Sequence, residues 1–293
     1  MSVVWYMIVN QTYKIYFYLL ILLRYLFVIV VVGSDDHIMV NIKNYFDIEQ
    51  LFWVSLCQKH EVINSSVECY LTSIDLSIFN FILIRAPINL KTLHAAQEVF
   101  DEKNKAYCLV IKDSAISSLL PILTCGSYKA DSMTTAMGLA LNKYTKKNQW
   151  QEEKSLVIRL VNDNLSLWAQ PLKSAFLGEE IDDLHIINQY IEYHQNILNK
   201  KIEIYHFVLI KSQFPVTSLT LTIHNKMARL DDIATHIDHQ KQGNATYLIR
   251  YVLDLCLQKK ITCCYLESSP YGVELYRRLG FEPLFNYFSY YKV

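Results

Sequence analysis

From Met39 onward the chain alternates, twice over, between short β-branched or aromatic runs and longer stretches with helical spacing. Residues 48–57 (IEQLFWVSLC) carry helical spacing, and 79–84 (FNFILI) form a strand-like run. A second helix is predicted over 90–104, with Leu93, Ala96, Val99 and Phe100 as its apolar positions, followed by a strand over 107–111 (YCLVI). Pro121, Gly126 and the polar KADS that follows close a third helix and open a turn. After residue 155 the alternation starts again. A strand is predicted over 156–161, then a long helical region to Asn199, paired strands over 205–211 and 216–224, and a third strand over 228–235. A helix over 244–259, a strand over 262–267, a short helix over 272–279 and a terminal strand complete the order. Helices interleaved with strands imply a layered α/β (α+β) architecture rather than a helical bundle.

Composition narrows the function classes. Hydrophobic residues make up 52% of 293 residues, too many for a disordered chain and enough for one large domain or two ordinary ones. Zero formal net charge argues against nucleic acid as a partner. The seven cysteines are odd in number, scattered and without a CxxC pair, so neither a disulfide framework nor a zinc knuckle is expected. They read as buried free thiols in a reducing, cytoplasmic setting. The most polar stretch, 142–155 (NKYTKKNQWQEEKS), reads as a solvated linker and divides the chain into units at 39–150 and 151–293.

The first 38 residues stand apart. Residues 15–32 (IYFYLLILLRYLFVIVVV) are apolar except for Arg24, close to the minimum length for a bilayer span. Three readings fit: a start codon set too early ahead of Met39, a true inner-membrane anchor including residues 13–32, or a buried helix. Arg24 near the midpoint would cost roughly 2.5–3.5 kcal/mol on insertion scales. A membrane partner follows only from the second reading.

Glycine marks where chemistry can sit. Seven glycines is far below the roughly 20 that average usage gives a chain of this length, so each is expected where another residue would not serve. Gly243 lies in Gln240-Lys241-Gln242-Gly243-Asn244-Ala245, between the strand ending at Thr235 and an apolar helix. Small residues at that junction let a ligand approach the backbone. The unpaired amides and positive dipole end of the helix make an anion site, suited to a pyrophosphate.

Together with the residues that follow, this segment resembles the GCN5-related N-acetyltransferase (GNAT) superfamily. Gln240, Gly243 and Ala245 meet that family's acetyl-CoA signature of Gln or Arg, two residues, Gly, one residue, then Gly or Ala. Leu275-Tyr276-Arg277-Arg278-Leu279-Gly280-Phe281 meets its second signature, LY-x-x-x-GF, with a helix and a strand between the two. The resemblance is specific over 205–288, looser over 155–204, and extends in element order alone to 79–142, which lacks the phosphate signature. It implies a GNAT fold, a mixed central sheet flanked by helices, as two tandem units: a degenerate one over 39–150 and a catalytic one over 151–293.

The same resemblance implies acetyl transfer from acetyl-CoA to a primary amine of a small-molecule or amino-acid-like acceptor, by direct attack and without a metal. Backbone groups of Ile233, Ala234 and Thr235 would pair with the pantetheine arm. Residues Gln240, Lys241, Gln242, Gly243, Asn244, Ala245 and Thr246 would hold the pyrophosphate. Tyr276 would return a proton to the leaving thiolate, unless it only packs in the core. For the base, Asp231, Glu267 or a water relay are open, with strand alternation sending Asp231 and Asp232 to opposite faces. His236 and His239 read as turn residues, since no third ligand has suitable spacing. A CoA-binding regulatory protein without turnover and a membrane-anchored enzyme are the alternatives.

Overall fold

The computed structural model describes residues 40–125, 127–146, 155–176 and 181–293, with only the backbone at 181–183. The apolar run at 15–32 and the centre of the expected linker lie outside the described residues. Among the described residues, no helix is long and apolar enough to cross a membrane.

The first half runs α1 (Ile42–Leu56), β1 (Lys59–Asn64), β2 (Val67–Leu71), β3 (Phe81–Ile84), α2 (Leu90–Asp101), β4 (Cys108–Lys112), α3 (Ile116–Thr124) and β5 (Tyr128–Ala140). Asn41 and Asn89 cap α1 and α2, their side chains accepting from the amides of Lys43 and Thr92. The second half runs β6 (Leu156–Leu160), α4 (Leu165–Phe176), α5 (Ile181–Leu198), β7 (Glu203–Lys211), β8 (Phe214–His224), β9 (Met227–Thr235), α6 (Asn244–Gln258), β10 (Cys263–Ser268), α7 (Val273–Arg278) and β11 (Glu282–Lys292).

Two differences from the sequence reading have physical causes. The hairpin β1–β2 was not expected, because β1 (KHEVIN) is largely polar and only β2 is fully buried. The KADS segment forms no turn. It is the exposed start of the 13-residue strand β5, whose apolar half begins further on. Of the seven free thiols, five are buried as expected, while Cys57 is half-buried and Cys125 exposed.

Among the described residues, eleven strands form one mixed sheet in the order β1-β2-β3-β4-β11-β5-β10-β9-β8-β7-β6. Neighbours are antiparallel except β3 with β4 and β9 with β10, one parallel pair in each half. The centre of the sheet is crossed over. The last strand of the second half, β11, lies between β4 and β5, and β5 pairs in turn with β10. Each half therefore completes its sheet with the other's final strand.

Helices α6 and α7 cover one face of the second half, over Leu219, Leu221, Leu230, Leu266 and Phe281. The opposite face carries α4 and α5 over Val208, Ile210 and Ala234. On that same side α1 packs Tyr45 and Ile48 against Tyr265, Phe285 and Tyr287. A helix of the first half thus roofs strands of the second.

Candidate active site

Strands β9 and β10 run side by side only from Met227–Leu230 against Cys263–Leu266. Beyond Leu230 they part, so residues 231–235 have no partner on the β10 side while β8 still pairs along the other edge. Within this stretch β9 carries a bulge. Thr220 pairs with Asp231 and Ser218 with Ala234, so two residues, Asp232 and Ile233, stand opposite Leu219 alone. Asp232 takes a left-handed φ of 53°, and Ser218 Oγ donates to its carbonyl at 3.2 Å.

The bulge overturns one expectation. Regular alternation would send Asp231 and Asp232 to opposite faces, but the extra residue resets the phase. Asp231 meets Arg229, and Asp232 accepts from Tyr190 of α5 at 2.7 Å, on the same side as Ala234. Ile233 packs instead with the core beneath α6. Both carboxylates thus share the face roofed by α1, α4 and α5.

The cradle follows β9. Gln240 Nε2 donates to the carbonyl of Thr235, Gln242 Nε2 to that of Asp238, and Asn244 Nδ2 to that of His239, which ties the loop to itself. Gly243 caps α6 with φ 83°, and a Cβ there would meet nothing within 4 Å. The first amide of α6 bonded within the helix is that of Tyr247, which donates to Gly243 at 2.9 Å. The amides before it point outward from the positive end of the helix.

A groove of about 670 Å³ opens here. Thr235, Gln240, Lys241, Gly243, Asn244, Ala245 and Thr246 line it. Ile233, Ala234 and Gln242 do not. Ala234 is buried under α4, and Gln242 turns back toward Asp238 and Lys211. Arg250 and Arg278 were missed, and the signal for them is helical spacing. Arg250 lies one turn beyond Thr246 on α6, and Arg278 two residues after Tyr276 on α7. With Lys241 they place three cations around outward amides and an open glycine, a donor set that fits the pyrophosphate of CoA.

Tyr276 is buried, and burial with the neighbouring Asp231 raises its phenol above the ordinary range. Gly272 permits that seat, because a Cβ there would come within 3.0 Å of the Tyr276 ring. Between the halves lies a buried charge network. Arg229 Nε donates to both oxygens of Asp231 at 2.9 and 3.0 Å, and its Nη2 donates to Glu267 at 3.0 Å. Glu267 also accepts from Tyr45 of α1 and Thr134 of β5. Further along, Arg85 bridges Glu49 and Glu68.

Burial pushes the carboxyls of Glu49 and Asp231 up to about 7 against the pull of these arginines. Glu68 goes the other way, to about 2, held down by Tyr70, Arg85 and Gln50. Carboxyls raised in the fold stabilise it while protonated and lose that contribution as pH rises toward 7. Glu68 stabilises above the ordinary carboxylate range and loses its share as pH falls toward 2. Calorimetric Tm is therefore expected to peak near roughly pH 4–5 and decline toward pH 7. Glu49→Gln should flatten the alkaline decline, and an unchanged slope would contradict it.

Among the described residues, no group of three or more His, Cys, Asp or Glu could hold a metal ion. The His236 and His239 rings lie 5.7 Å apart, each beside Phe214.

A bulged strand thus parts from its parallel neighbour and feeds a glycine-capped helix beside an open groove. Residues 157–284 match the model of the acetyltransferase (GNAT) domain. No curated protein matches the chain in sequence. Among solved structures, a GCN5-related N-acetyltransferase from Kribbella flavida is similar at TM-score 0.62 and 12% identity, covering 87% of this chain and 96% of that one. One from Sphaerobacter thermophilus is similar at 0.56 and 10%, covering 78% and 76%. A tandem GNAT protein from the clavulanic acid biosynthesis pathway is similar at 0.54 and 9%, covering 76% and 77%. At these identities the likeness establishes the fold, and it extends over both halves.

Proposed function

We propose that this protein transfers the acetyl group of acetyl-CoA to a primary amine of a small, amino-acid-like acceptor, by direct attack with both substrates bound. The observation that carries this reading is the meeting of a groove at a helix N-terminus, lined by Lys241, Arg250 and Arg278, with two largely enclosed carboxylates at the point where β9 and β10 part.

The amides of residues 241–246 hold the pyrophosphate, with Lys241, Arg250 and Arg278 supplying charge. The unpaired edge of Ile233, Ala234 and Thr235 takes the pantetheine arm as an added strand, and an amide of that edge polarises the thioester oxygen. Asp231, its carboxyl lifted to about 7, and its neighbour Asp232 are the proton-accepting pair for an amine that arrives as an ammonium. Tyr276, held in its protonated form by burial, donates to the departing sulfur. The first half is the substrate-shaping partner, since Tyr45 and Thr134 bind the Glu267 end of the carboxylate face.

Thiol release from acetyl-CoA with a panel of primary amines tests this reading. Tyr276→Phe should lower kcat by on the order of 10²-fold while CoA affinity holds, as expected for a lost general acid. Tight CoA binding with no thiol release from any amine would favour a regulatory CoA-binding role instead.

A further inference from the structure

On the α5 side of the parted strands, a line of hydrogen bonds, part-buried at Asn162 and buried at His194, has a direction fixed from one end. Asn162 Nδ2 donates to the carbonyl of Ile204, and its Oδ1 accepts from the backbone amide of His206, so the amide cannot be flipped. The same Oδ1 lies 3.0 Å from Nδ1 of His206, which must therefore carry a hydrogen. Burial lowers both His206 and His194 to about 3, so both rings are neutral. His206 Nε2 is then a lone pair, and His194 Nδ1, 2.8 Å away, must be the donor. This leaves His194 Nε2 as a second lone pair.

That nitrogen faces Oδ2 of Asp232 across 3.8 Å, too far for a hydrogen bond and with an acceptor at both ends. Both atoms are buried and without a hydrogen-bond partner among the described residues, and the Thr220 hydroxyl of β8, likewise unpaired, is turned toward the Asp232 carboxylate. Asp232 Oδ1 is already taken by Tyr190. Around the gap stand Trp168, with its ring centroid 4.5 Å from His194, then Tyr190 and Phe52.

Two inward acceptors in an aromatic box, one on a carboxylate, suit a donor bearing several hydrogens and positive charge. We infer that the gap between Asp232 and His194 is the seat of the acceptor's amino group, and that the Asn162–His206–His194 line is a positioning device for it. This rests on the acetyltransferase reading. Asp232 Oδ2 takes one proton from the ammonium, breaking an N–H bond and forming an O–H bond. His194 Nε2 accepts a hydrogen bond from a remaining N–H and so turns the freed lone pair toward the thioester. The nitrogen then bonds to the acetyl carbon, the C–S bond breaks, and the thiolate is protonated by Tyr276.

Asp232→Asn separates this role from a structural one, because Asn tolerates the left-handed φ and still accepts from Tyr190. Turnover with the best amine of the panel should fall at least 10²-fold, with Tm and CoA affinity unchanged. The groups facing Asp232 are Asp231 and Arg229 on its own strand, Thr220 from β8, Tyr190 and His194 from α5, and His206 from β7, with Glu267 beyond Arg229. Tyr190→Phe removes a donor that favours the carboxylate, so the acidic limb of kcat/KM should move to higher pH. Activity of Asp232→Asn within threefold of the parent would overturn the assignment.

A second measurement works without turnover. In ¹⁵N-histidine NMR of the full chain at pH 7, both rings should appear as the Nδ1–H form. Propylammonium should shift His194 Nε2 in the parent and not in Asp232→Asn. A hydrogen on His194 Nε2, or no response to the amine, would overturn the proposal. If no amine is acetylated, the transferase reading fails, and the NMR result still decides this one.

Discussion

Gly243→Asp is expected to abolish CoA binding in a protein that remains folded. A Cβ at this position meets no atom within 4 Å, so the change introduces no clash and adds to the free protein only the strain of a side chain at φ 83°. Its effect falls on the ligand. A carboxylate about 4 Å from a phosphate costs roughly 4 kcal/mol at an effective dielectric near 20, about 10³-fold in affinity. Gly243→Ala separates charge from conformation. It retains only the strain of a left-handed φ of 83°, roughly 1–2 kcal/mol, and should weaken binding about tenfold. Calorimetric titration with CoA measures both. Parent-like affinity in folded Gly243→Asp would place the pyrophosphate elsewhere.

The second large effect concerns the crossed sheet. Residues 151–293 expressed alone should not form a stable monomer, although they contain the whole domain match and every cradle residue. Without the first half β10 loses β5, and β11 loses both β4 and β5. Arg229 and Glu267 also lose Tyr45 and Thr134. The bare edge of β10 would template aggregation or pairing between copies. Co-expression of 38–150 with 151–293 should restore a soluble complex that binds CoA. A monomeric, cooperatively melting 151–293 fragment would contradict this account.

The cradle was legible because its signal is local: a glutamine, a glycine and an alanine at fixed spacing, between a strand and a helix that each announce themselves by periodicity. The helices α1, α2 and α6 were legible for the same reason. What escaped depends on distant partners. Nothing in β5 or β11 states that each pairs with the other half, since hydrogen bonding along a strand edge is indifferent to sequence. The bulge at Asp232 turns on a single inserted residue, and it decides whether two carboxylates share a face. Asn162, His194 and His206 come from a loop, a helix and a strand. Only the folded chain shows that they form one line. The hairpin β1–β2 was hidden by the polar side chains of β1.

The crossed sheet also sets a timetable for synthesis. Lys112, the end of β4, leaves the ribosome long before Glu282, the start of its neighbour β11. At roughly 5–20 residues per second the interval is on the order of 10–30 s. During that time the first half has its α2 and α3 core but an open β4 edge, and β5 has neither of its neighbours. The nascent chain must therefore carry an unpaired strand edge until β11 has emerged, so the sheet closes only after the second half has been made.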